Sequence, residues 1–544
     1  MTKKQNNTTQ KIRATSVAII VEIGRDGKKS VRKLAQLIKG TKSSVHRHLR
    51  AQKRRNRHPE SAFWETEAGS AWMRLLVFAA IYQFGLECGV GAGKLSLFFK
   101  LIRIHDHVGV SESALRTQIQ QMELLLPQFQ AACEQQANTQ KRKAVVAMDE
   151  TFFGEFLILV LMDLSSGYLL LEDISDDRCY ETWYAKTSPR LEALGIEVSH
   201  AISDRAKALI KLAVTGFECN SGADLFHAQQ DLSRWLGPKL ARQAATAEKQ
   251  AIVAQTTEEK APETATEAEQ HDLKEQSLKA RKDYDQAKQV QATYHENLQG
   301  ISDAIHPFSL IDNSPNDAEK VEERLENRAK AFEHLAGEED ISDKKDVMKK
   351  FRNQIKPLAV SVSFWWMWVS ETLQGLAVDK DLEDWLTTTL LPVVYWHQHL
   401  HKTQNSQARE RYRKAWTGAN QALQAHPFTA VLPDSEIQRW LTWAEWMVRQ
   451  FHRSSSAVEG RNGCLAQLYH NGRGLTPQRL RALTVIHNYG LKHEDGSTAA
   501  SRLFGTEFPE LFSWLLEQMG ELPLARKSRD RVIRNPLKLL NVPA

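Results

Sequence analysis

The first 57 residues carry apolar positions at helical spacing between basic ones. One apolar stripe runs along residues 12–24 and a second along residues 30–38, where Ser30 precedes the first turn. Ser is a favoured N-cap because its hydroxyl accepts a hydrogen bond from a free backbone N–H. After a short break at Lys39-Gly40-Thr41, the segment from about Ser43 to Arg54 is rich in Lys, Arg and His. A helix, a Gly-containing turn and a basic helix are typical of a helix-turn-helix, so residues 1–57 are expected to bind DNA.

A second helical region is predicted over residues 58–140. Residues 94–102 form an apolar helical segment, and Ser111 precedes a long segment with helical spacing. The pair fits a second helix-turn-helix, but its second helix is less basic. Packing helices of an all-α domain explain the same pattern, and both interpretations stay open.

At residue 143 the pattern changes from helices to strands. Two runs rich in Val, Ile, Leu and Phe follow each other, with a turn at Ser165-Ser166-Gly167. A helix at 180–194, a strand ending at Asp204, another helix and a short strand over 223–228 come next. This order predicts a mixed sheet in an α/β unit over residues 141–235.

From residue 236 to residue 448 the sequence is helical again. Residues 239–300 are rich in Ala, Glu, Gln and Lys and are interrupted at Pro262, which predicts a coiled-coil-like hairpin. After a loop at 306–317, further helices are predicted at 318–336, 344–375, 380–401 and 405–424. The Trp-rich run SFWWMWVS is expected to pack in a helical core.

Charge and composition narrow the class of protein. Apolar residues make up 42% of the chain, enough for buried cores. Residues 1–57 contain 17 Lys and Arg against Glu22 and Asp26, whereas the net charge of the whole chain is only +6. A basic N-terminal region on a nearly neutral body indicates a polyanion-binding domain. No apolar run approaches the length of a membrane span and the N-terminus does not resemble a signal peptide, so a cytoplasmic, nucleoid-associated protein is expected.

Three carboxylates are the candidate catalytic residues. Asp149 is expected to end one apolar strand and Asp204 another, while Glu459 opens a helix in SSSAVEGRNGCLAQLYHN. Sites in α/β sheets form at the carboxyl ends of strands, and oxygen ligands suit Mg²⁺. Two such ions support phosphodiester cleavage and strand transfer. The rival carboxylates are Glu150, Asp163 and Asp231, with Glu150 expected on the opposite face of its strand from Asp149.

The ordered set of motifs resembles the DDE transposases of bacterial insertion sequences. The residues that carry the resemblance are AMDETFFGE, the SSGY turn, AISDRAKAL and SSAVEGRNGCLAQLYHNGRGL, over about residues 143–490. The resemblance implies an RNase H-like core in which Asp149, Asp204 and Glu459 are the catalytic and metal-binding triad. The long interval between Asp204 and Glu459 implies an insertion into that core. Where many relatives carry Lys or Arg seven residues after the Glu, this chain has Ala466.

The resemblance also implies a multidomain organisation. The predicted domains are a helix-turn-helix domain at 1–57, a second helical domain at 58–140, the first part of an α/β RNase H-like core at 141–235, an all-α insertion at 236–448, the Glu helix of the core at 449–495 and a helical tail at 496–544.

The resemblance and the charge pattern together predict a cofactor, partners and DNA contacts. The expected cofactor is Mg²⁺, as two ions for which Mn²⁺ can substitute. The expected partners are double-stranded DNA, at element ends and target, and further copies of the chain in a dimer or higher oligomer. The residues expected to contact DNA are Lys42, Ser43, Ser44, His46, Arg47, Arg50, Lys53, Arg54 and Arg55 in the basic helix, with Arg461, Asn462 and Arg473 near the Glu motif. A non-catalytic DNA-binding relative and a related RNase H-like nuclease are the alternatives.

Overall fold

The chain is mostly helical and contains one five-stranded mixed sheet. The computed structural model describes residues 3–27, 29–137, 140–262, 266–343 and 345–525. Within these ranges no helix combines the length and the apolar character that crossing a membrane requires. The chain divides into two compact units. One comprises residues 1–137 with 464–544, and the other, called the sheet unit here, comprises residues 138–463.

Six α-helices lie among the described residues of the N-terminal part of the first unit. They are α1 (Lys3–Asp26), α2 (Val31–Leu37), α3 (Lys42–Arg55), α4 (Glu67–Ala80), α5 (Ala92–Leu101) and α6 (Glu112–Ala137). The first helix starts well before the predicted residue 12, because polar side chains do not interrupt a helix as Pro or Gly would. Ser30 caps α2, as predicted, by accepting a hydrogen bond from Lys33 N at 3.3 Å.

The first three helices share a small core. Ile19 of α1, Leu34 and Ala35 of α2 and Val45 of α3 are buried against one another. Gln52 on α3 adds a buried hydrogen bond of 3.0 Å to the Ser16 carbonyl oxygen of α1. One face of α3 is therefore committed to packing, and its other face is left for solvent or a partner.

The sheet unit begins with five strands and two helices. They are β1 (Arg142–Phe153), β2 (Phe156–Asp163), β3 (Leu169–Ser175), α7 (Tyr180–Leu194), β4 (Ile196–Ser203), α8 (Lys207–Lys211) and β5 (Asn220–Ala223). The strand order is β3-β2-β1-β4-β5. The first three strands are antiparallel neighbours, whereas β4 runs parallel to β1 and β5 parallel to β4. The mixed sheet predicted from the sequence is confirmed.

Two details of the predicted strands are wrong. Asp149 does not end its strand, because β1 continues to Phe153 and pairs with β2 over its whole second half. The strand predicted over 223–228 ends at Ala223, and a helix starts at Leu225. The reason is Asp224, whose carboxylate accepts a hydrogen bond from Phe226 N at 3.0 Å and so acts as an N-cap.

The rest of the sheet unit is helical. It contains α9 (Leu225–Glu259), α10 (Glu267–Ala304), α11 (Ala318–Glu338), α12 (Val347–Gly375), α13 (Lys380–Trp385), α14 (Leu391–Lys402), α15 (Ser406–Ala425), α16 (Pro427–Val431), α17 (Asp434–Arg449) and the start of α18 (Ser456–Leu468). The first two of these form the predicted hairpin, with Pro262 between them. Trp365 and Trp368 on α12 are buried, and Trp365 Nε1 donates to the Met447 carbonyl oxygen at 2.9 Å. The expected Trp-rich core is confirmed.

The C-terminal helices belong to the first unit. They are α19 (Pro477–Val485), α20 (Ala499–Phe504) and α21 (Leu511–Gln518). Helix α19 packs on α6, with Leu480 and Leu483 buried. Residues 464–495, assigned from the sequence to the catalytic core, therefore group with the N-terminal helices instead. The described part of the predicted tail contains the two short helices α20 and α21 with non-helical segments between and after them, and residues 526–544 lie outside the described residues.

Candidate active site

Asp149 lies in the middle of β1 and faces the interior of the sheet unit. Its side chain is buried, with the residue 8% exposed, and its Oδ1 accepts a hydrogen bond from Glu150 N at 2.9 Å. Glu150 points to the other face, where its carboxylate accepts hydrogen bonds from Trp183 Nε1 at 3.1 Å and from Arg178 at 3.0 Å. The alternation of side chains along a strand thus separates the two neighbouring acids, as predicted.

Asp204 follows the end of the parallel neighbour β4. The pairing of β1 with β4 includes Ala147 opposite Ile202, each two residues before one of the two aspartates. Because side chains return to the same face every second residue, Asp149 within β1 and Asp204 just beyond the end of β4 lie at the same level of the two strands. Asp204 is exposed and accepts a hydrogen bond from Ala206 N at 2.9 Å.

Asp224 follows the end of β5, the next parallel strand. Ser203 pairs with Ala223, so Asp204 and Asp224 occupy equivalent positions after their strands. Asp224 is 1% exposed. The carboxyl ends of parallel strands are where α/β sheets commonly bind ligands, and this sheet places acids at that edge on two adjacent strands.

Helix α18 carries Glu459 and is fixed to the sheet by two polar contacts. Arg461 forms a buried ion pair with Glu172 of β3, with Nε–Oε1 and Nη2–Oε2 distances of 2.8 and 2.7 Å. Asn462 donates from Nδ2 to Asp149 Oδ2 at 2.7 Å. Glu172 lies opposite Val160, which lies opposite Asp149, so the helix contacts one face of the sheet across three strands.

These contacts correct two expectations about DNA binding. The guanidinium group of Arg461 is buried and already pairs bidentately with a carboxylate, so it is not available to hold a phosphate. The amide of Asn462 is buried too and is directed at Asp149. Both residues build the site instead of forming an exposed DNA-contact surface. The side chain of Arg473 lies outside the described residues.

His227 joins the site from the first turns of α9. Its Nδ1 lies 2.6 Å from Asp224 Oδ2, and its Nε2 lies 3.6 Å from Glu459 Oε1. Asp224 also receives hydrogen bonds from Ser455 N at 3.0 Å and Ser455 Oγ at 2.5 Å. Since Ser455 O accepts from Glu459 N at 3.1 Å, one buried carboxylate holds both the histidine and the start of the helix that bears Glu459.

The charges of the cluster act on one another. Burial raises the pKa of Asp149, and the charge of Asp204 adds to that rise. Burial and then the charge of Asp149 raise the pKa of Glu459. The hydrogen bond that Nδ1 of His227 donates to Asp224 is the largest cause that raises the pKa of His227, to about 9. Crowded carboxylates beside a histidine that favours its cationic form indicate a site that positive charge stabilises.

The residues present fit a divalent cation. Ligand atoms of Asp149, His227 and Glu459 all lie within 4.8 Å of one another. In addition, Asn462 Oδ1 is buried and no described residue donates a hydrogen bond to it. Asp204 is outside this group of three, although its charge reaches Asp149. Asp163, a rival carboxylate, instead accepts hydrogen bonds from Ser166 N at 2.9 Å and from Ser166 Oγ in the β2–β3 turn.

The basic helix α3 presents most of its expected DNA contacts on one side. Positions 43, 46, 47, 50, 53 and 54 recur at intervals of three and four, which places them on one helical face. The exposed members of the set are Lys42, Ser43, His46, Arg47, Arg50, Lys53 and Arg54, while Ser44 is half-buried. Arg55 is the exception, because it pairs with Glu65 at 2.5 and 2.8 Å.

The sequence interpretation missed His227, Asp224 and Glu172. The first two lie in ADLFHA, which was interpreted as a strand, so no role was assigned to its Asp or His. The available signal was an Asp directly before a long helical pattern, which indicates an N-cap. Glu172 lies within an apolar strand, LLLEDIS, and a charged residue at such a position calls for a buried partner.

Comparison with known proteins adds one match. Residues 386–531 match a family described as a family of unknown function (DUF6399). The matched region includes Glu459 and the whole of α18 but not Asp149, Asp204 or His227. No curated protein matches the sequence significantly.

Proposed function

We propose that the protein is a DNA transposase of the DDE type that cuts and joins DNA strands with divalent metal ions. The observation that carries the proposal is the convergence of Asp149 and Glu459 in one cluster, with Asp204 at the end of the adjacent strand. These three residues are far apart in the sequence, and they are the three that the resemblance to DDE transposases selects.

The sheet supports an RNase H-like core as the finer description of the fold. The antiparallel strands β1, β2 and β3 precede the parallel strands β4 and β5 along the chain. A long helical segment then separates the sheet from α18. This is the order that the resemblance implies: a β-hairpin with the first Asp, a strand with the second, an insertion and a helix with the Glu.

The chain's own side chains supply ligands and alignment in this proposal. Asp149 and Glu459 offer carboxylate oxygens to a cation, and Asp204 offers a third carboxylate beside Asp149. Arg461 and Asn462 keep α18 in register with the sheet, so that Glu459 stays beside Asp149. Bound divalent ions would activate a water molecule or a 3′-hydroxyl group as the nucleophile and stabilise the leaving oxygen.

DNA recognition is assigned to the first three helices. Helices α2 and α3 with the turn between them are interpreted as a helix-turn-helix, and the exposed face of α3 as the recognition surface. Its Arg and Lys side chains would contact phosphates and base edges. Because two element ends must be paired for transposition, the DNA-bound form is expected to be a dimer or a higher oligomer.

The proposal is tested by separating cleavage from binding. Wild type, Asp149→Asn and Asp204→Asn are incubated with the DNA that flanks the gene, with Mg²⁺ or Mn²⁺ and with a chelator. The expected result is a metal-dependent nick at a defined flanking position by wild type, and binding without nicking by both variants. Tight binding by wild type without cleavage under either metal would favour a non-catalytic DNA-binding relative. Cleavage that ignores the flanking sequence would favour a nuclease.

A further inference from the structure

His227 is placed like a metal ligand that has an orienting partner. Asp224 Oδ2 lies 2.6 Å from Nδ1, which fixes the ring and makes Nδ1 the donor. The opposite nitrogen, Nε2, therefore turns towards Glu459 Oε1, 3.6 Å away. A carboxylate that accepts a hydrogen bond from one imidazole nitrogen while the other faces a cation is the common outer-shell arrangement of histidine metal ligands.

The partner of His227 is itself rigid. Asp224 is buried, caps α9 through Phe226 N and receives two hydrogen bonds from Ser455. A side chain held by this many contacts has little freedom to rotate. The position of Nε2 is thus determined by the end of β5 and the start of α18. The same two elements position other residues of the site.

A second observation at the same place points to a ligand. Asn462 is 8% exposed, its Nδ2 contacts Asp149, and its Oδ1 is buried with no donor among the described residues. A buried carbonyl oxygen without a partner is destabilising, and a hydrated cation beside Asp149 would supply the missing contact.

We propose that His227 Nε2 is a direct metal ligand together with Asp149 and Glu459, and that the site consequently selects a divalent transition-metal ion over Mg²⁺. An imidazole ligand suits transition metals, whereas Mg²⁺ takes oxygen ligands and keeps its water. When the ion binds, the imidazole releases its Nε2 proton, and two carboxylates with one neutral imidazole then balance the charge of one divalent ion. The inference rests on the proposed function in one respect, that this cluster binds a divalent cation.

The experiment uses Mn²⁺ as the probe on the full-length protein. Pulsed electron paramagnetic resonance detects the magnetic coupling between Mn²⁺ and a directly bound ¹⁴N nucleus. Wild type is expected to bind Mn²⁺ with a ¹⁴N coupling and to bind Mg²⁺ at least about tenfold more weakly. His227→Asn should lose the coupling, and Asp224→Asn should weaken Mn²⁺ binding by about 10–100-fold.

A matched control is a histidine beside a carboxylate elsewhere. His334 lies 3.4 Å from Glu338 on α11 and outside the cluster, so His334→Asn should leave both the coupling and the Mn²⁺ affinity unchanged. The wild-type spectrum decides the question even if a variant fails to fold. Absence of Mn²⁺ binding, Mn²⁺ binding without a ¹⁴N coupling, or a coupling that survives in His227→Asn would overturn the inference.

The two proposals fail in different ways. Metal-dependent DNA nicking by wild type without a ¹⁴N coupling would leave the transposase proposal standing and reject His227 as a ligand. A ¹⁴N coupling without nicking on any flanking DNA would keep the metal site and reject the proposed reaction.

Discussion

One buried ion pair, between Arg461 and Glu172, fixes the helix that carries Glu459. Both side chains are almost fully buried, so each charge depends on the other for its stabilisation. Removing one partner of such a pair leaves an unpaired charge in the interior, which costs far more than the pair itself contributes.

At the residue scale, Arg461→Met should therefore destabilise the sheet unit by about 3–5 kcal/mol. The double variant Arg461→Met, Glu172→Leu should recover most of this loss, because no charge is left alone. Urea denaturation followed by tryptophan fluorescence measures both. If Arg461→Met lowers the affinity for DNA while the denaturation midpoint stays unchanged, Arg461 contacts phosphate after all and the corrected assignment is wrong.

Glu65 makes the stability of the first unit depend on pH. Burial alone would raise its pKa, but hydrogen bonds from His107 and Arg55 and the charge of Arg55 lower the pKa to about 2 from the ordinary 4.5. Because the folded-state pKa is the lower one, ionised Glu65 stabilises the fold above about pH 5, and this stabilisation is lost as the pH falls towards about 2.

The corresponding variant is Glu65→Gln. Its unfolding free energy should be lower than that of wild type by up to about 3 kcal/mol at neutral pH, and the difference should shrink steadily below about pH 4.5. Thermal unfolding across this pH range measures the difference. A gap that stays constant with pH would mean that Glu65 contributes through packing and not through its charge.

At the scale of elements, the sequence predicted helices and strands well wherever one periodic pattern extended over many residues. The helical hairpin around Pro262 and the strands from β1 to β4 are of this kind. The sequence pattern did not predict the boundary between two elements where a single side chain determines it. Asp224 ends β5 and starts α9, and its contact with Ser455 spans 231 residues. No local pattern carries that information, so His227 could not be placed beside Glu459 from the sequence.

The carboxylates of the candidate site could be chosen from the sequence because they follow or open predicted strands and helices, which meet at the edge of a sheet. The sequence did not predict their exact positions or the partners of the residues around them. Asp149 was expected at the end of β1, whereas the strand runs on to Phe153 because its second half pairs with β2. Arg461 was expected to bind DNA, but an Arg beside Glu459 can either hold a phosphate group or form an ion pair inside the protein. Only its contact with Glu172, a residue 289 positions away, distinguishes them.

The exposed face of α3 should account for the salt dependence of DNA binding. The triple variant Arg47→Ala, Arg50→Ala, Arg54→Ala removes three positive charges from that face. Each lost phosphate contact reduces the magnitude of the negative slope of log affinity against log salt by about 0.9, so this magnitude should fall by about 2 to 3. Fluorescence anisotropy with a duplex from the flanking DNA at several salt concentrations measures it.

The control removes three exposed positive charges from α10, as Lys274→Ala, Lys279→Ala, Lys282→Ala. It should leave the slope unchanged. Equal slopes for the two triple variants would show that net charge, and not the face of α3, governs binding.

The outer half of the α9–α10 hairpin is expected to contribute little to the free energy of unfolding. Among its described residues from 249 to 283, Ala251 is the one that is buried. Tyr284 and Glu248 lie side by side at 3.4 Å, so a short Gly-rich turn can replace residues 249–283. This deletion should change the unfolding free energy by no more than about 1 kcal/mol.

Trp365→Ala provides the contrast within the same unit, with an expected loss of about 3–5 kcal/mol because its side chain is buried in the helical core. Urea denaturation measures both variants. A loss from the hairpin deletion as large as that from Trp365→Ala would mean that the outer hairpin packs against another copy of the chain.

At the scale of the whole molecule, the proposed DNA-recognition face lies in one compact unit and the proposed metal site lies in the other. The basic face belongs to the unit of residues 1–137 and 464–544, and the carboxylates belong to the sheet unit. The assignment predicts that variants of α3 lower DNA affinity without changing metal binding, and that variants of the acidic cluster do the reverse.

The central claim is that the acidic cluster performs metal-dependent strand cleavage. The most direct measurement is the rate of nicking of the flanking DNA against Mn²⁺ concentration, recorded beside the Mn²⁺ occupancy of the same wild-type protein and of Asp149→Asn. We expect a nicking rate that rises with occupancy in wild type, and no nicking by Asp149→Asn, which still binds the DNA. Nicking that persists in a chelator, or that is equally fast in Asp149→Asn, would contradict this claim.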